Sequence, residues 1–168
     1  GLSATGERVL FLMRQLTHEW THVYMDNLFN SVALARSAYQ EKALVHGVTR
    51  TNGRGIPVDV VQKEEKSKAK QEQARGTVKV AVMKNDPLCP DVVACSIYDT
   101  KPVHLLSTVA ETVEWISKKR DVWDGTAGEM RPILFLRLNM IDCYNFGMGD
   151  VDIADQLRLV YCPEHWMR

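Results

Sequence analysis

The order of apolar segments in residues 6–50 constrains the fold more than any other feature of this chain. Segments with the spacing of an amphipathic helix alternate with short runs of β-branched and aromatic residues, which are typical of strands. The order is helix 9–16, strand 21–25, helix 32–42 and strand 44–50. Strands that alternate with helices lie parallel and are joined by right-handed crossovers, so this segment predicts an α/β fold.

The pattern changes after Pro57. The run over residues 63–75 mixes charges of both signs, and we interpret it as a solvated helix or arm rather than a specific DNA contact. The apolar period then becomes two, which predicts a β-rich segment. Its strands are expected at residues 77–82, 92–98 and 103–108, with a hairpin turn at 99–102, a loop at 117–131 and a strand at 132–136. These shifts predict three parts, 1–54, 55–131 and 132–168.

Bulk composition excludes several classes of protein. The formal net charge is zero, so the chain does not coat DNA or an anionic membrane by charge alone. None of its four cysteines forms a Cys-x-x-Cys pair, which argues against a zinc ribbon.

His46, His104 and His165 are isolated from one another, and we interpret them as hydrogen-bonded structural residues. No apolar run is long enough to span a membrane, and we expect a reduced intracellular protein.

Carboxylates near both ends of the chain are candidate metal ligands. Asp26 ends the first predicted strand, at the kind of strand end where ligands gather in α/β sheets. Asp152 and Asp155 are three residues apart on a helix predicted to start at Asp150 or Asp152. Hard oxygen ligands of this kind suit Mg²⁺. Acids in a first helical turn also serve as N-caps without any metal, so both interpretations stay open.

Four collinear motifs indicate a family. They are Asp26-Asn27-x-Phe29, Gly47-x-Thr49-Arg50-x-Asn52 with Ile56-Pro57, Lys101-Pro102-Val103-x-Leu105-Leu106-Ser107-Thr108, and Tyr144-Asn145 with Gly149-x-Val151-Asp152-x-x-Asp155-Gln156. Together they resemble the piggyBac family of transposases and their domesticated derivatives. The resemblance implies an α/β fold with a partial RNase H-like core, formed by parallel strands and crossover helices and interrupted by a β-rich insertion domain at 55–131.

The resemblance also implies two-metal DNA cleavage and joining. Asp26 matches the second catalytic aspartate and Asp152 the third; with Asp155 they would bind Mg²⁺. The first aspartate would lie upstream, so we expect a fragment that lacks the opening strands and is inactive alone. Where the family usually has Lys-Gly-Gly before Val-Asp, this chain has Met148-Gly149-Asp150, which replaces a basic residue and adds a carboxylate.

The resemblance implies DNA, in the form of transposon ends, as the partner. It leaves a homodimer open, and implies a nuclear location with neither a membrane nor a small-molecule substrate. Candidate nucleic-acid contacts are Arg50, Arg54, Lys118, Lys119 and Arg120. We interpret Trp115 and Trp123 as packing residues, with base stacking as the alternative. The alternative functions are a domesticated, non-catalytic DNA- or protein-binding module, and an unrelated α/β domain whose acids are helix caps.

Overall fold

A computed structural model describes residues 1–16, 18–63, 76–84, 86–90, 92–99, 101–109 and 113–161, with only the backbone of residues 150–152, 154, 155 and 158–161. The elements are α1 (Ala4–Met13), β1 (Thr21–Met25), α2 (Val32–Gln40), β2 (Ala43–Val48), β3 (Val78–Val82), β4 (Val93–Tyr98), β5 (Pro102–Ser107), β6 (Trp115–Asp124), β7 (Glu129–Leu138) and α3 (Asn139–Tyr161). The predicted charged arm, apart from Lys63, and His165 lie outside the described residues. No helix in the described part of the chain is long and apolar enough to cross a membrane.

Five strands form one mixed sheet in the order β1-β2-β5-β4-β3. β1 and β2 are parallel, with Met25 opposite Gly47, which confirms the prediction from the helix and strand order. β5 pairs antiparallel with β2 on one side and with β4 on the other, and β4 pairs antiparallel with β3. The α/β class is therefore confirmed as a mixed sheet with helices.

The predicted division into three parts stays a prediction. The sheet nevertheless continues across the boundary at 54 and 55, because β5 pairs directly with β2. The boundary at 131 and 132 falls within β7.

The first hydrophobic core joins α1 and α2 to the sheet. Each helix starts at a serine cap: Ser3 Oγ accepts a hydrogen bond from the Gly6 N–H at 3.1 Å, and Ser31 Oγ accepts one from the Leu34 N–H at 3.2 Å. The cluster includes Leu10, Met13, Met25, Leu34, Ala35, Ala38, Val45, Ala94 and Leu106.

A second hydrophobic core includes the alternating residues of β4 and β5, whose side chains point to the opposite face of the sheet. It joins Val93, Cys95, Ile97 and Leu105 to Leu138 at the end of β7 and Met140 at the start of α3. Both faces of the sheet are thus covered, and the second core fixes the point from which α3 departs.

β6 and β7 form a separate two-stranded sheet, paired from Trp115 opposite Leu138 to Asp124 opposite Glu129. The predicted loop over residues 117–131 is wrong, whereas the predicted strand at 132–136 is confirmed as part of β7. The charged sequence of β6 obscured its strand character, which depends on its pairing with the apolar β7. Trp115 and Trp123 are 54% and 62% exposed, so the packing role expected for them is also wrong.

α3 starts at Asn139, so the predicted helix start at Asp150 or Asp152 is wrong. The glycines at 147 and 149 suggested a loop, because glycine disfavours the interior of a helix. The helix continues through both. Asp152 therefore lies about three and a half turns after the first residue of the helix, and its interpretation as an N-terminal cap is excluded.

Candidate functional site

Asp26 follows β1 and begins a tight turn into α2. Its backbone carbonyl accepts hydrogen bonds from the N–H groups of Phe29 and Asn30 at 3.0 and 3.1 Å. Its side-chain Oδ1 accepts one from the Asn27 N–H at 2.6 Å. The residue is exposed. The turn therefore fixes the backbone of Asp26 while its carboxylate faces solvent.

Asn30 anchors this turn to two strands. Its buried Nδ2 donates to the carbonyls of Gly47 on β2 at 2.9 Å and Leu106 on β5 at 3.2 Å. The Thr49 hydroxyl donates to the Asn30 carbonyl at 3.3 Å. This role was not predicted from the sequence. The sequence did contain a signal for it. Asn30 and Ser31 are two adjacent residues that can each cap a helix, and a helix needs only one cap, so the other was free to serve a different role.

Gly47 permits close approach of β1 and β2 beside the turn. A Cβ at this position would overlap the backbone carbonyl of Met25. Any larger residue would therefore push the two strands apart immediately before Asp26.

Arg50 and Arg54 lie on the loop that follows β2. Because β1 and β2 are parallel, this loop and the Asp26 turn both follow the carboxyl ends of their strands and lie at the same end of the sheet. Gly55 lies against the start of α2, where a Cβ would approach the Val32 side chain to 3.3 Å. Both arginines are exposed. The structure thus brings two of the five predicted nucleic-acid contacts to the end of the sheet where Asp26 lies.

α3 is attached to β2 through His46, a buried residue on the face opposite the first core. Its Nε2 lies 2.8 Å from the Met140 carbonyl. Burial lowers the pKa of His46 from its usual 6.5 to about 4, so the ring is neutral and Nε2 donates its proton to that carbonyl. The Tyr24 ring lies 5.8 Å from His46 and the Tyr144 ring 6.3 Å from it. The interpretation of His46 as a structural residue is confirmed, and it also holds for the buried His104, whose Nε2 lies 3.1 Å from the Gln62 carbonyl.

The same helix then passes over β1. Gly147 lies on the ring of Tyr24, so close that a Cβ on the glycine would overlap ring atoms. Asp152 follows five residues later, about 7.5 Å along the helix axis. The side chains of Asp152 and Asp155 are outside the described part of the structure. Among the described residues, no group of three His, Cys, Asp or Glu side chains could hold a metal ion.

Lys118, Lys119 and Arg120 lie on β6, outside the five-stranded sheet whose first strand ends at the Asp26 turn. They line a groove of about 890 Å³ that reaches Val78 on β3, at the opposite edge of the five-stranded sheet from β1. Lys118 forms a 2.8 Å salt bridge with Asp142 on α3, and Arg137 on β7 also pairs with Asp142. Lys118 is thus held by a structural ion pair that was not predicted from the sequence.

Comparison with known proteins establishes the class. Residues 2–168 match the family model described as Transposase IS4, and the chain belongs to this transposase family. A comparison with curated protein sequences gave no match. The structure is similar to that of a piggyBac transposase, determined by cryo-EM in a synaptic complex with hairpin DNA. The TM-score is 0.66 at 23% sequence identity over 95% of this chain.

The resemblance to piggyBac transposases indicated by the four motifs is therefore confirmed. The chain spans 28% of the length of the piggyBac transposase to which it is similar. At this identity the structural likeness shows a shared fold.

Proposed function

We propose that this chain is part of a piggyBac-like DNA transposase with an RNase H-like core, in which Asp26 and Asp152 are ligands of Mg²⁺ for DNA strand cleavage and joining. One observation carries the proposal: α3 is fixed to β2 at His46, crosses β1 at Tyr24 and leads toward Asp152. Its course supports a site shared by the two aspartates. Membership in the Transposase IS4 family supports the same reaction class.

The donor chemistry at Asp26 suits a hard divalent cation. The carboxylate is exposed at a strand end, and no basic side chain of the described residues pairs with it. Asp152, with Asp155 one helical turn away, would supply further carboxylate oxygens. Metal ions bound there would activate an attacking oxygen and stabilise the leaving oxygen of a phosphodiester.

The neighbouring residues would orient the site and attract the substrate. The Asn30 hydrogen bonds hold the Asp26 turn against β2 and β5. Arg50 and Arg54 carry positive charge on the adjacent loop, which would attract the phosphates of transposon-end DNA. Because this chain contains two of the family's three catalytic aspartates, we expect it to bind metal without cutting DNA alone.

The test is Mn²⁺ binding to the purified chain, measured by electron paramagnetic resonance. We expect Asp26→Asn and Asp152→Asn each to weaken binding by at least about tenfold, because loss of even an outer-shell partner of a metal ligand typically costs about 10- to 100-fold in affinity. The matched control is Asp59→Asn, which removes an exposed carboxylate from a different loop. Wild-type affinity in either Asp26→Asn or Asp152→Asn would show that the proposed site is wrong.

A non-catalytic DNA-binding module is the second candidate, and the groove at β6 favours it. Lys119 and Arg120 are exposed without a carboxylate partner among the described residues, and the exposed ring of Trp123 lines the same groove. Aromatic and basic side chains together suit stacked bases and phosphates.

Fluorescence anisotropy with labelled DNA distinguishes the two candidates. The module predicts that a Lys119→Ala and Arg120→Ala double variant loses salt-sensitive binding, whereas Asp26→Asn keeps it. Lys84→Ala removes one exposed charge elsewhere and is the control. Unchanged binding in the double variant would exclude this groove as the DNA contact.

A further inference from the structure

We propose that Tyr24 and Gly147 form a size-matched pair that positions α3 on β1, and thereby sets the place of Asp152 relative to Asp26. The inference rests on the proposed function for its consequence in metal binding. Its geometric part, the control of helix position by this pair, stands on the described contacts alone.

The contact leaves no room for a side chain on the helix. A Cβ on Gly147 would overlap Cγ, Cδ1 and Cδ2 of the Tyr24 ring. Gly149, two residues further on the same helix, has no atom within 4 Å of a Cβ built on it. Close packing therefore requires glycine at 147 and does not require it at 149.

The Tyr24 ring is also restrained by a second contact. It meets the His46 ring edge to face, with the ring centroids 5.8 Å apart and an interplanar angle of 71°. His46 is itself buried and hydrogen-bonded to the Met140 carbonyl, in the first turn of α3. The ring cannot move aside without disturbing the attachment of the helix, so a larger residue at 147 would displace α3.

The pair lies close to both aspartates along the chain. Tyr24 is two residues before Asp26, about 7 Å along the strand. Gly147 is five residues before Asp152, about 7.5 Å along the helix. Metal ligation tolerates errors of only about 0.2 Å in ligand distances. A helix displaced at Gly147 would therefore change the separation of the two carboxylates by more than a metal site accepts.

The test measures helix position directly. Nitroxide-bearing amino acids at Leu28 and Ile153, both about half exposed, report the distance between the Asp26 turn and the Asp152 segment by pulsed electron spin resonance. We expect Gly147→Ala to shift or broaden this distance by roughly 1–2 Å, the displacement that restores van der Waals contact. We expect its Mn²⁺ affinity to fall about tenfold.

Gly149→Ala is the matched control, because it makes the same change of intrinsic helix propensity without the overlap. It should leave the distance and the Mn²⁺ affinity unchanged. A distance in Gly147→Ala equal to that in wild type and Gly149→Ala would overturn the proposal.

A rescue variant keeps the test decisive if Gly147→Ala alone does not fold. In the Tyr24→Ala background the overlap is gone, so adding Gly147→Ala should change neither distance nor affinity. A further change there would contradict the pairing. If wild type and Gly149→Ala both fail to bind Mn²⁺, the proposed function fails, while the distance measurement still tests the role of the pair.

Discussion

The buried ring of His46 makes the stability of the fold depend on pH. Its pKa is lowered to about 4 in the folded chain, from 6.5 when unfolded, because burial disfavours the charged ring. The unfolded chain therefore binds the extra proton between these values. The neutral His46 ring thus contributes roughly 3 kcal/mol to the free energy of unfolding, as expected for a pKa shift of that size. This contribution is fully present above pH 6.5 and is lost as the pH falls toward 4.

Replacing His46 with glutamine should reduce this acid sensitivity. Glutamine keeps an N–H donor for the Met140 carbonyl but does not titrate. The free energy of unfolding should be measured by urea titration between pH 7.5 and 4.5. It should fall with decreasing pH more steeply in wild type than in His46→Gln, by up to about 1.4 kcal/mol per pH unit. His18→Gln, which removes an exposed histidine before β1, is the control. An identical pH dependence of the free energy of unfolding in wild type and His46→Gln would show that His46 is not the source of the acid sensitivity.

Asn30 should be more important for stability than an ordinary turn residue. Asn30→Ala removes hydrogen bonds to two buried carbonyls, those of Gly47 and Leu106. We expect a loss of roughly 1–3 kcal/mol in the free energy of unfolding, measured by urea titration. Asn27→Ala, at an exposed position of the same turn, should change it by less than about 0.5 kcal/mol. Equal effects of the two substitutions would contradict the anchoring role.

At the scale of elements, one carboxylate connects the β6 and β7 hairpin to α3. Asp142 is mostly buried and pairs with Lys118 on β6 and Arg137 on β7. Asp142→Asn should cost about 1–2 kcal/mol, less than a fully buried pair because Lys118 is half exposed. Hydrogen exchange should accelerate in β6 and β7 only. Glu129→Gln, which removes an exposed partner of Arg131, is the control and should have little effect.

The sequence predicted the elements whose pattern is local. β1 to β5 each carry a clear strand pattern, and the parallel pairing of β1 with β2 follows from the helix between them. β6 was missed because its stability comes from β7 rather than from its own residues. The start of α3 was missed because glycine disfavours the interior of a helix, so Gly147 was interpreted as part of a loop. Glycine is required there by close packing against the Tyr24 ring, a contact that the sequence does not reveal.

The candidate site was predicted only in part. Asp26 and Asp152 were identified from motifs, and the structure adds that Asp152 is not a helix cap. The grouping of basic residues could not be predicted. Arg50 and Arg54 lie with Asp26 at the carboxyl ends of β1 and β2 because these strands are parallel, whereas Lys118 to Arg120 belong to the separate β6 and β7 hairpin, whose groove reaches β3.

For the whole molecule, the sheet and the hairpin should differ in stability. The five-stranded sheet has a hydrophobic core on each face, whereas the hairpin exposes Trp123, Leu134 and Leu136 by 62–69%. An isolated pair of strands is only marginally stable in water. Native-state hydrogen exchange should therefore protect β2, β4 and β5 most, and β6 and β7 by far less. Equal protection of the hairpin and the sheet would contradict this order.

The pairing of β2 with β5 also has a consequence for the kinetics of folding. Val48 lies opposite Leu105, at a sequence separation of 105 − 48 = 57 residues, whereas β3, β4 and β5 pair with their neighbours in sequence. The antiparallel unit can thus form early, and closure onto β2 comes late. Because the entropy of closing a loop rises slowly, doubling the length of this connection would cost only about 0.6 kcal/mol. Insertions between β2 and β3 should accordingly slow folding slightly while leaving the folded sheet intact.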